Sequence, residues 1–304
     1  NGRHLAVKRF NQAFQTSKRA QRCFRELQLL KALDHENIVK MKFLHTTSCR
    51  ALCNKYFHSY LTTEYCGENL LYILLHETKD NHFTLISIKK MVSELLRAIK
   101  YLNSAKVIHR DLKPDNLAIN GQGNLTLLDF GMARVIHENL QHTNEPGTAY
   151  FRAIETIEFN VSERINGRRE TASLIDANDF LAEMWSMGAI LCEMLTGQIL
   201  FKIDNDNDND NQKDGETVQR AIEICGPIPD CVLLRVRNSV AKSNINNKDA
   251  QERFRKKNAN ARRIDFLDKF RAEARPWLKE GIEINRVNLK DFIDHTLAFD
   301  PDER

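Results

Sequence analysis

The side chains best suited to chemistry are oxygen-rich and lie in two short stretches. The first is His109-Arg110-Asp111-Leu112-Lys113-Pro114-Asp115-Asn116; the second, beyond a turn at Gly121 to Gly123, is Asp129-Phe130-Gly131. Carboxylates and amides of this kind are the hard donors that a hard divalent cation takes together with water and phosphate oxygens. Taken alone, Asp129 reads as a turn aspartate that follows a strand. A third polar stretch, Asp204 to Asn211, alternates Asp and Asn, and Asn205, Asn207, Asn209 and Glu216 fall near the first, third, fifth and twelfth positions of a calcium loop. Its sixth position is Asp210 where that loop requires Gly, and Asn in place of Asp removes charge, so the run reads as a solvated loop. The cysteines, seven in all, follow no framework spacing and read as free thiols in a reducing compartment.

The elements that must position these groups follow from hydrophobic periodicity. Leu5-Ala6-Val7 predicts a strand that opens after the Asn1-Gly2 turn signal, with a hairpin partner expected before it. From Lys18 to Leu33 the apolar residues Ala20, Phe24, Leu27 and Leu30 recur at three and four, which predicts an amphipathic helix. Strands are expected around Val39 to Leu44 and Tyr60 to Thr63. A long helix covers Leu85 to Asn103, with Ile88, Met91, Val92, Leu95, Ile99 and Leu102 on one stripe. Short strands joined by tight turns follow at Lys106 to Ile108, Leu117 to Ile119 and Leu125 to Leu128. Phe180 to Leu195 is apolar on nearly every side and predicts a buried helix. The basic run from Arg253 to Arg263 reads as a solvated helix face.

Composition limits the class. With 304 residues, 42% hydrophobic and 28% charged, the chain is long enough for one or two cores, which excludes disorder as its dominant state. A net charge of +4 gives no reason to expect a nucleic-acid or membrane partner. No apolar run approaches the roughly 20 residues that span a bilayer, and the start lacks the apolar stretch of a signal peptide, so secretion is not expected.

The two oxygen-rich stretches, in this order and separation, resemble the catalytic loop and the metal-binding motif of the eukaryotic protein kinases. Ala6-Val7-Lys8 resembles the strand whose lysine contacts the nucleotide phosphates, and Glu26 stands where its ion-pair partner belongs. The resemblance implies an α+β, two-lobed kinase fold, with an incomplete β-rich lobe over residues 1–66 and a larger helical lobe over 67–304. Polar insertions are expected near 162–177 and 203–215, and a variable region over 230–285. It also implies ATP and Mg²⁺ as cofactors, Asn116 and Asp129 as metal ligands, Asp111 as acceptor of the substrate hydroxyl proton, and Lys113 beside the γ-phosphate. A lysine at this last position resembles the serine/threonine-specific branch.

Arg25-Glu26-Leu27-Gln28-Leu29-Leu30-Lys31, His35-Glu36-Asn37-Ile38-Val39, Thr62-Thr63-Glu64 with Gly67, and Leu195-Thr196-Gly197-Gln198-Ile199-Leu200-Phe201 are similar to the mitogen-activated protein kinases, especially their stress-activated branch. The similarity runs from Asn1 to about Phe201 and returns at Asp300 to Arg304. It implies a hinge from Thr63 to Gly67, Thr63 as a small gatekeeper, adenine contacts near Glu64 and Cys66, Asn69 near the ribose, and Leu117 among the nucleotide-binding residues. Leu30, Met41, His109 and Phe130 align with the apolar stack that couples the Glu26 helix to the metal motif. Thr143 is the expected phosphorylation site, with Arg22, Arg110 and Arg134 as the arginines that would receive its phosphate.

Several positions depart from the family pattern. Glu145 stands where a phosphorylatable tyrosine is expected and Ala149 where an arginine would grip it, two losses that are mutually consistent. Ile154 replaces the proline of Ala-Pro-Glu, and Glu183 replaces the aspartate before Met184-Trp185. Arg304 has a family counterpart that pairs with a glutamate, here Glu155, while Pro146 and Arg152 bear on proline-directed specificity. No Gly-rich loop stands before Lys8, and the chain is read as a piece of a longer kinase, with a natural truncation as the other possibility. The first reading of function is a serine/threonine kinase acting on protein substrates under an upstream activating kinase, monomeric, and in cytoplasm or nucleus. The second is a catalytically silent kinase-like scaffold that binds pathway partners.

Overall fold

The structure is a computed structural model that describes residues 4–10, 13, 15–47, 58–76, 83–136, 149–154, 156, 178–203, 210–229, 261, 275, 278–279, 282, 285–300 and 303–304. Thr143, Glu145, Pro146, Glu155, the insertion near 162–177, the Asp/Asn run over 204–209 and nearly all of 230–285 lie outside the described residues. The chain divides into two compact units. The first comprises Asn1–His76, Lys89–Arg110 and Pro114–Val135, and the second Glu77–Ile88, Asp111–Lys113 and Ile136–Arg304.

The first unit opens with strand β1 (Leu5–Phe10), whose partner is β3 (His58–Glu64), with β2 (Met41–Thr47) on the other side of β3. Both pairings are antiparallel, with Lys8 opposite Leu61 and Leu44 also opposite Leu61. Between β1 and β2 runs helix α1 (Ser17–Ala32), started by the Thr16 hydroxyl, which accepts from the Arg19 amide at 3.2 Å. Its buried stripe is Cys23, Glu26, Leu29 and Leu30, which corrects the expected one: of Ala20, Phe24, Leu27 and Leu30 only Leu30 is buried and Phe24 is 61% exposed, because the face carrying the Glu26 carboxylate is the one turned inward. A two-residue strand β4 (Glu68–Asn69) leads into the short helix α2 (Leu70–Leu75), which six residues leave too short for a periodic signal.

Helix α3 (Leu85–Ser104) buries Ile88, Met91, Leu95, Ala98, Ile99 and Leu102, the expected stripe except that Val92 is only half-buried and Ala98 joins it. After it come β5 (Val107–Ile108), β6 (Leu117–Ile119), β7 (Leu125–Leu127) and β8 (Arg134–Val135). Strand β6 pairs with β7 and with β4, and β5 pairs with β8. Gly67 precedes β4 at φ +107, where a Cβ would stand 2.0 Å from the Ile119 carbonyl oxygen, so only glycine lets the hinge lie against β6.

The second unit is helical. Helix α4 (Asn178–Thr196) is nearly all buried, and its Trp185 stacks on Phe201 and Phe299 at 5.3 and 5.8 Å between ring centroids. The Arg304 guanidinium lies 5.0 Å above the Trp185 ring and donates to the carbonyls of Ala298, Leu181 and Phe299. Helix α5 (Asp210–Cys225) begins inside the polar run that the sequence assigned to a solvated loop; that expectation is corrected from Asp210 onward. Its apolar stripe, Val218, Ala221, Ile222 and Cys225, starts two turns in, so the polar first turns hid the helix. Helix α6 (Arg286–Thr296) packs on α4. A Cβ at Gly188 would meet the Thr296 Oγ1 at 2.5 Å and the Leu297 Cδ2 at 2.9 Å, so glycine sets how closely the two helices approach. We therefore expect Gly188→Ala to lower stability by about 1–2 kcal/mol, overpacking outweighing the roughly 1 kcal/mol helix-propensity gain, read as a lower denaturant midpoint.

Candidate functional site

Strand β1 alternates, so Ala6, Lys8 and Phe10 share one face. The Lys8 Nζ donates to Glu26 Oε1 at 2.8 Å and to Asp129 Oδ1 at 2.8 Å, joining β1, α1 and the turn after β7 through one ammonium. Asp129 is held by its own backbone. It has φ 54 and ψ 85, in the left-handed region, caps the 3₁₀ turn Phe130–Met132, and accepts from the Gly131 amide at 3.1 Å. Phe130 behind it is fully buried and meets the His109 ring edge-on at 5.0 Å. The His109 Nε2–H donates to the Leu128 carbonyl at 2.9 Å, because a carbonyl can only accept.

The β6–β7 hairpin brings the second candidate ligand alongside. Leu117 pairs with Leu127, so Asn116 and Leu128, one step outside that pair, face each other, and the Leu128 amide donates to the Asn116 carbonyl at 2.8 Å. Asn116 ends a 3₁₀ turn that starts at Pro114 and is buried. Within the second unit, Lys113 Nζ lies 3.1 Å from Asp111 Oδ2, with both side chains largely shielded.

Electrostatics separate the two carboxylates that share Lys8. Burial pushes the Glu26 carboxyl up, and the attraction of Lys8 only partly offsets it because the Glu26 side chain is 4% exposed. Burial also acts on Asp129, but its side chain is 45% exposed, and Lys8 with the Gly131 amide brings its carboxyl below the usual range. For Lys8 burial opposes the charge, and the attraction of Glu26 and then Asp129 outweighs it, so its ammonium is held above the ordinary lysine value.

The remaining expected site residues fall in three places. At the hinge, the Thr63 hydroxyl donates to the Glu64 carbonyl at 3.2 Å, the Cys66 thiol lies 3.6 Å from the same oxygen, and Lys42 pairs with the Glu64 carboxylate. Burial pushes the Cys66 thiol up. Asn69 caps α2, its Oδ1 accepting from the Tyr72 amide at 2.6 Å, and Leu117 is wholly buried in the hairpin. Of the three arginines, Arg22 lines an open pocket of about 470 Å³ with Arg9, Arg19 and Cys23, Arg134 is buried, and Arg110 has φ 68. Residues that sequence reasoning gave no role are the Gly131 amide, the Leu128 carbonyl and Tyr101, since main-chain groups and a lone helix tyrosine carry no motif.

Among the described residues no three His, Cys, Asp or Glu gather as a metal cluster. The Asp129 carboxylate and Asn116 amide fit a hard cation that keeps water and phosphate in its shell, and fit poorly a metal that needs nitrogen or sulfur ligands.

Residues 1–304 match the protein kinase domain, and the chain belongs to that family, whose members use ATP and a divalent metal. It is 30% identical to mitogen-activated protein kinase pmk-3 of Caenorhabditis elegans over 99% of this chain and 56% of that protein. It is 32% identical to mitogen-activated protein kinase 12 of Mus musculus over 80% of this chain and 58% of that protein, and 31% identical to mitogen-activated protein kinase pmk-1 of C. elegans over 93% and 69%. Within the family it is a mitogen-activated protein kinase by this similarity, and it spans a little over half the length of the first two relatives. A solved yeast RNA Pol II CTD kinase CTDK-1 complex contains a chain of like fold, with a TM-score of 0.70 and 20% identity over 99% of this chain and 81% of that one.

The pH dependence follows from the three shifts. Asp129, lowered, contributes stability above its unfolded value of about 3.9 and loses it as pH falls through the folded value; Lys8, raised, contributes below about 10.4 and loses it as pH rises through the folded value. Glu26, raised, favours the fold only below about 4.3 and that contribution is lost as pH rises through its folded value. Lys8→Met should cost about 1–2 kcal/mol near neutral pH, less than the roughly 3–5 kcal/mol of a fully buried pair because the lysine is partly solvated. In urea titrations the gap between wild type and variant should be widest from about pH 6 to 9 and close toward pH 3 and above pH 11. A gap that does not change with pH would show that the ion pairs do not carry it.

Proposed function

We propose that the protein is a serine/threonine kinase of the stress-activated mitogen-activated type, transferring the γ-phosphate of MgATP to hydroxyls on other proteins. The observation that carries this reading is the Lys8 ammonium placed 2.8 Å from both Glu26 and Asp129. Phosphoryl transfer asks the protein chiefly for positioning and charge neutralisation, which is what this arrangement supplies. Asn116 and Asp129 would hold Mg²⁺, which when bound offsets the charge of the triphosphate. Lys8, fixed by Glu26, steadies the α- and β-phosphates. Asp111 takes the proton of the attacking hydroxyl as its oxygen bonds to the γ-phosphorus; the bond to the bridging oxygen breaks and ADP leaves. Lys113 offers its charge to the transferred group.

The adenine lies against the Thr63 to Gly67 hinge, with backbone contacts at Glu64 and Cys66 and with Leu117 among the residues that line it. Asn69 faces the ribose. Phosphorylation of Thr143 by an upstream kinase, received by Arg22, Arg110 and Arg134, orders the activation segment. The protein acts as a monomer in cytoplasm or nucleus, with neither membrane nor nucleic acid as partner. No helix among the described residues is long and apolar enough to cross a membrane.

The test is transfer of labelled γ-phosphate to a basic protein substrate by the full-length protein, with Asp111→Asn and Thr143→Ala beside it. We expect transfer that falls at least about 10²-fold in Asp111→Asn and about tenfold in Thr143→Ala. Full activity in Thr143→Ala would remove the regulatory assignment. No transfer from wild type after treatment with an activating kinase would leave the scaffold reading in its place.

Asn69 yields a second expectation. Its Oδ1 already accepts from the Tyr72 amide, which leaves the Nδ2 donors and one lone pair for a ribose hydroxyl. The wild type should therefore separate ATP from 2′-deoxy-ATP by less than about threefold in KM, and Asn69→Asp, with a second oxygen to accept, should widen that ratio about 3- to 10-fold. Equal ratios for both proteins would exclude Asn69 from ribose recognition.

A further inference from the structure

Helix α3 leads through β5 to His109, and this one stretch meets β7 at both ends. At the far end the His109 ring holds the Leu128 carbonyl. At the near end stands Glu94, a buried residue of α3 to which the chemistry above gives no role. Its Oε2 accepts from the amide of Leu125, the first residue of β7, at 2.6 Å. Its Oε1 lies 4.0 Å from the Lys90 ammonium and 3.9 Å from the Arg97 guanidinium. Lys90, one turn earlier, donates to the Gln122 carbonyl at 3.2 Å and to Asn124 Oδ1 at 2.6 Å. The turn that it grips is itself closed on Asn120, whose Oδ1 accepts from the Gln122 and Asn124 amides at 2.9 and 3.0 Å. A carboxylate is costly to bury, and a leucine here would serve packing alone, so the acceptor matters for what it holds.

What it holds is the turn end of a hairpin whose open end carries both candidate metal ligands. Asn116 stands immediately before β6 and Asp129 two residues beyond β7, and the Leu128 amide ties the two ends together through the Asn116 carbonyl. Each strand of this hairpin has three residues, and so short a pair is not rigid by itself. From Leu125 to Leu128 the chain covers about 10 Å at roughly 3.3 Å per residue, so a tilt at the turn displaces the ligands at the other end. We propose that Glu94 is a positioning residue: by fixing the Leu125 amide it sets the tilt of the β6–β7 hairpin on α3, and with it the spacing at which Asn116 and Asp129 meet a divalent cation. The cation part of this assignment rests on the kinase reading above; the coupling of α3 to the open end of the hairpin does not.

The experiment titrates Mg²⁺ into the full-length protein with a fluorescent ATP analogue. A group bonded straight to a metal ligand is worth about 10- to 100-fold in metal affinity, and Glu94 acts through a strand, so Glu94→Leu, which keeps the volume and removes the acceptor, should raise half-saturating Mg²⁺ about fivefold. Glu94→Gln retains an oxygen for the Leu125 amide and should stay within about twofold of wild type. Lys90→Met, at an exposed position, loosens only the turn and should raise the value about twofold. Ile99→Val trims the buried face of the same helix, makes no polar contact, and should leave the value unchanged, which separates positioning from lost stability. Amide hydrogen exchange gives a readout that needs neither nucleotide nor metal. Glu94→Leu should speed exchange at Leu128 and at Gly131, whose partners are the Asn116 carbonyl and the Asp129 carboxylate, and Ile99→Val should not.

Unchanged half-saturating Mg²⁺ in Glu94→Leu, an equal shift in Ile99→Val, a loss in Glu94→Gln as large as that in Glu94→Leu, or faster exchange confined to Leu125 would each overturn the assignment. Should Glu94→Leu fail to fold, the Lys90→Met shift and its exchange at Leu128 decide in the same way. If the wild type binds no nucleotide in Mg²⁺, the kinase reading falls and exchange at Leu128 and Gly131 alone decides the coupling.

Discussion

One lysine ammonium between two carboxylates is the constraint on which the first unit is built. Glu26 and Asp129 repel each other, and Glu26 is placed where solvent screens it little, so Lys8 at 2.8 Å from both is what favours their ionised forms together. That requirement brings together a strand, a helix and a turn separated by more than a hundred residues. Each of the three must be fixed by its own local device: β1 by its ladder to β3, α1 by the Thr16 cap and its buried stripe, and the Asp129 turn by the Gly131 amide. The unequal exposure of the two carboxylates makes them different acids although they share a partner. The buried one anchors the lysine, and the exposed one is kept ionised at a surface where a cation can reach it.

Of the three non-glycine residues at positive φ among the described residues, Lys106 lies in the turn after α3 and the other two border this arrangement. Arg110 and Asp129 are non-glycine residues at φ 68 and 54, each at a cost of about 1–2 kcal/mol relative to an ordinary conformation. They persist because the segments around them leave no relaxed alternative. The β5–β8 ladder ties Ile108 to Arg134, His109 holds the Leu128 carbonyl from the side, and the Leu128 amide is already taken by Asn116. A relaxed φ at Asp129 would swing its carboxylate off Lys8 and move Phe130 out of its buried site, at a larger cost in burial than the strain itself.

Much of this could be read from residue order. The α3 stripe has the helical period over several turns, α4 shows as a run apolar on nearly every side, and the Lys8, Glu26, Asn116 and Asp129 positions follow from the family resemblance, whereas α1 was legible as a helix but its buried face was not. What order could not supply is the second partner of Lys8. A contact between residues 8 and 129 depends on where the chain turns after β7, which pairs in register with β6, and no local pattern around Asp129 shows that. Helix α2 escaped because six residues complete less than two turns, and α5 because its stripe begins late. The reading of Asn69 as a ribose contact came from the family resemblance, and its capping of α2, a second task for the same oxygen, carries no motif of its own.

The departures from the family pattern fall on two kinds of position that tolerate change differently. Ile154 lies at 1% exposure, where a side chain of suitable volume keeps most of the packing energy, while Glu183 at 3% keeps the carboxylate that its position requires. Asn69 likewise keeps a capping role that aspartate would also perform. At Lys8, Glu26 and Asp129 no such latitude exists. The ammonium must reach two oxygens at hydrogen-bond distance from a strand, and the carboxylates must meet it from a helix and a left-handed turn. Shortening Glu26 to aspartate would pull a buried carboxylate away from the ammonium, and it would take up a proton instead, whereas water covers part of any loss at the half-exposed Lys8 and Asp129. The geometry is therefore most exacting at the one member of the set that solvent does not reach.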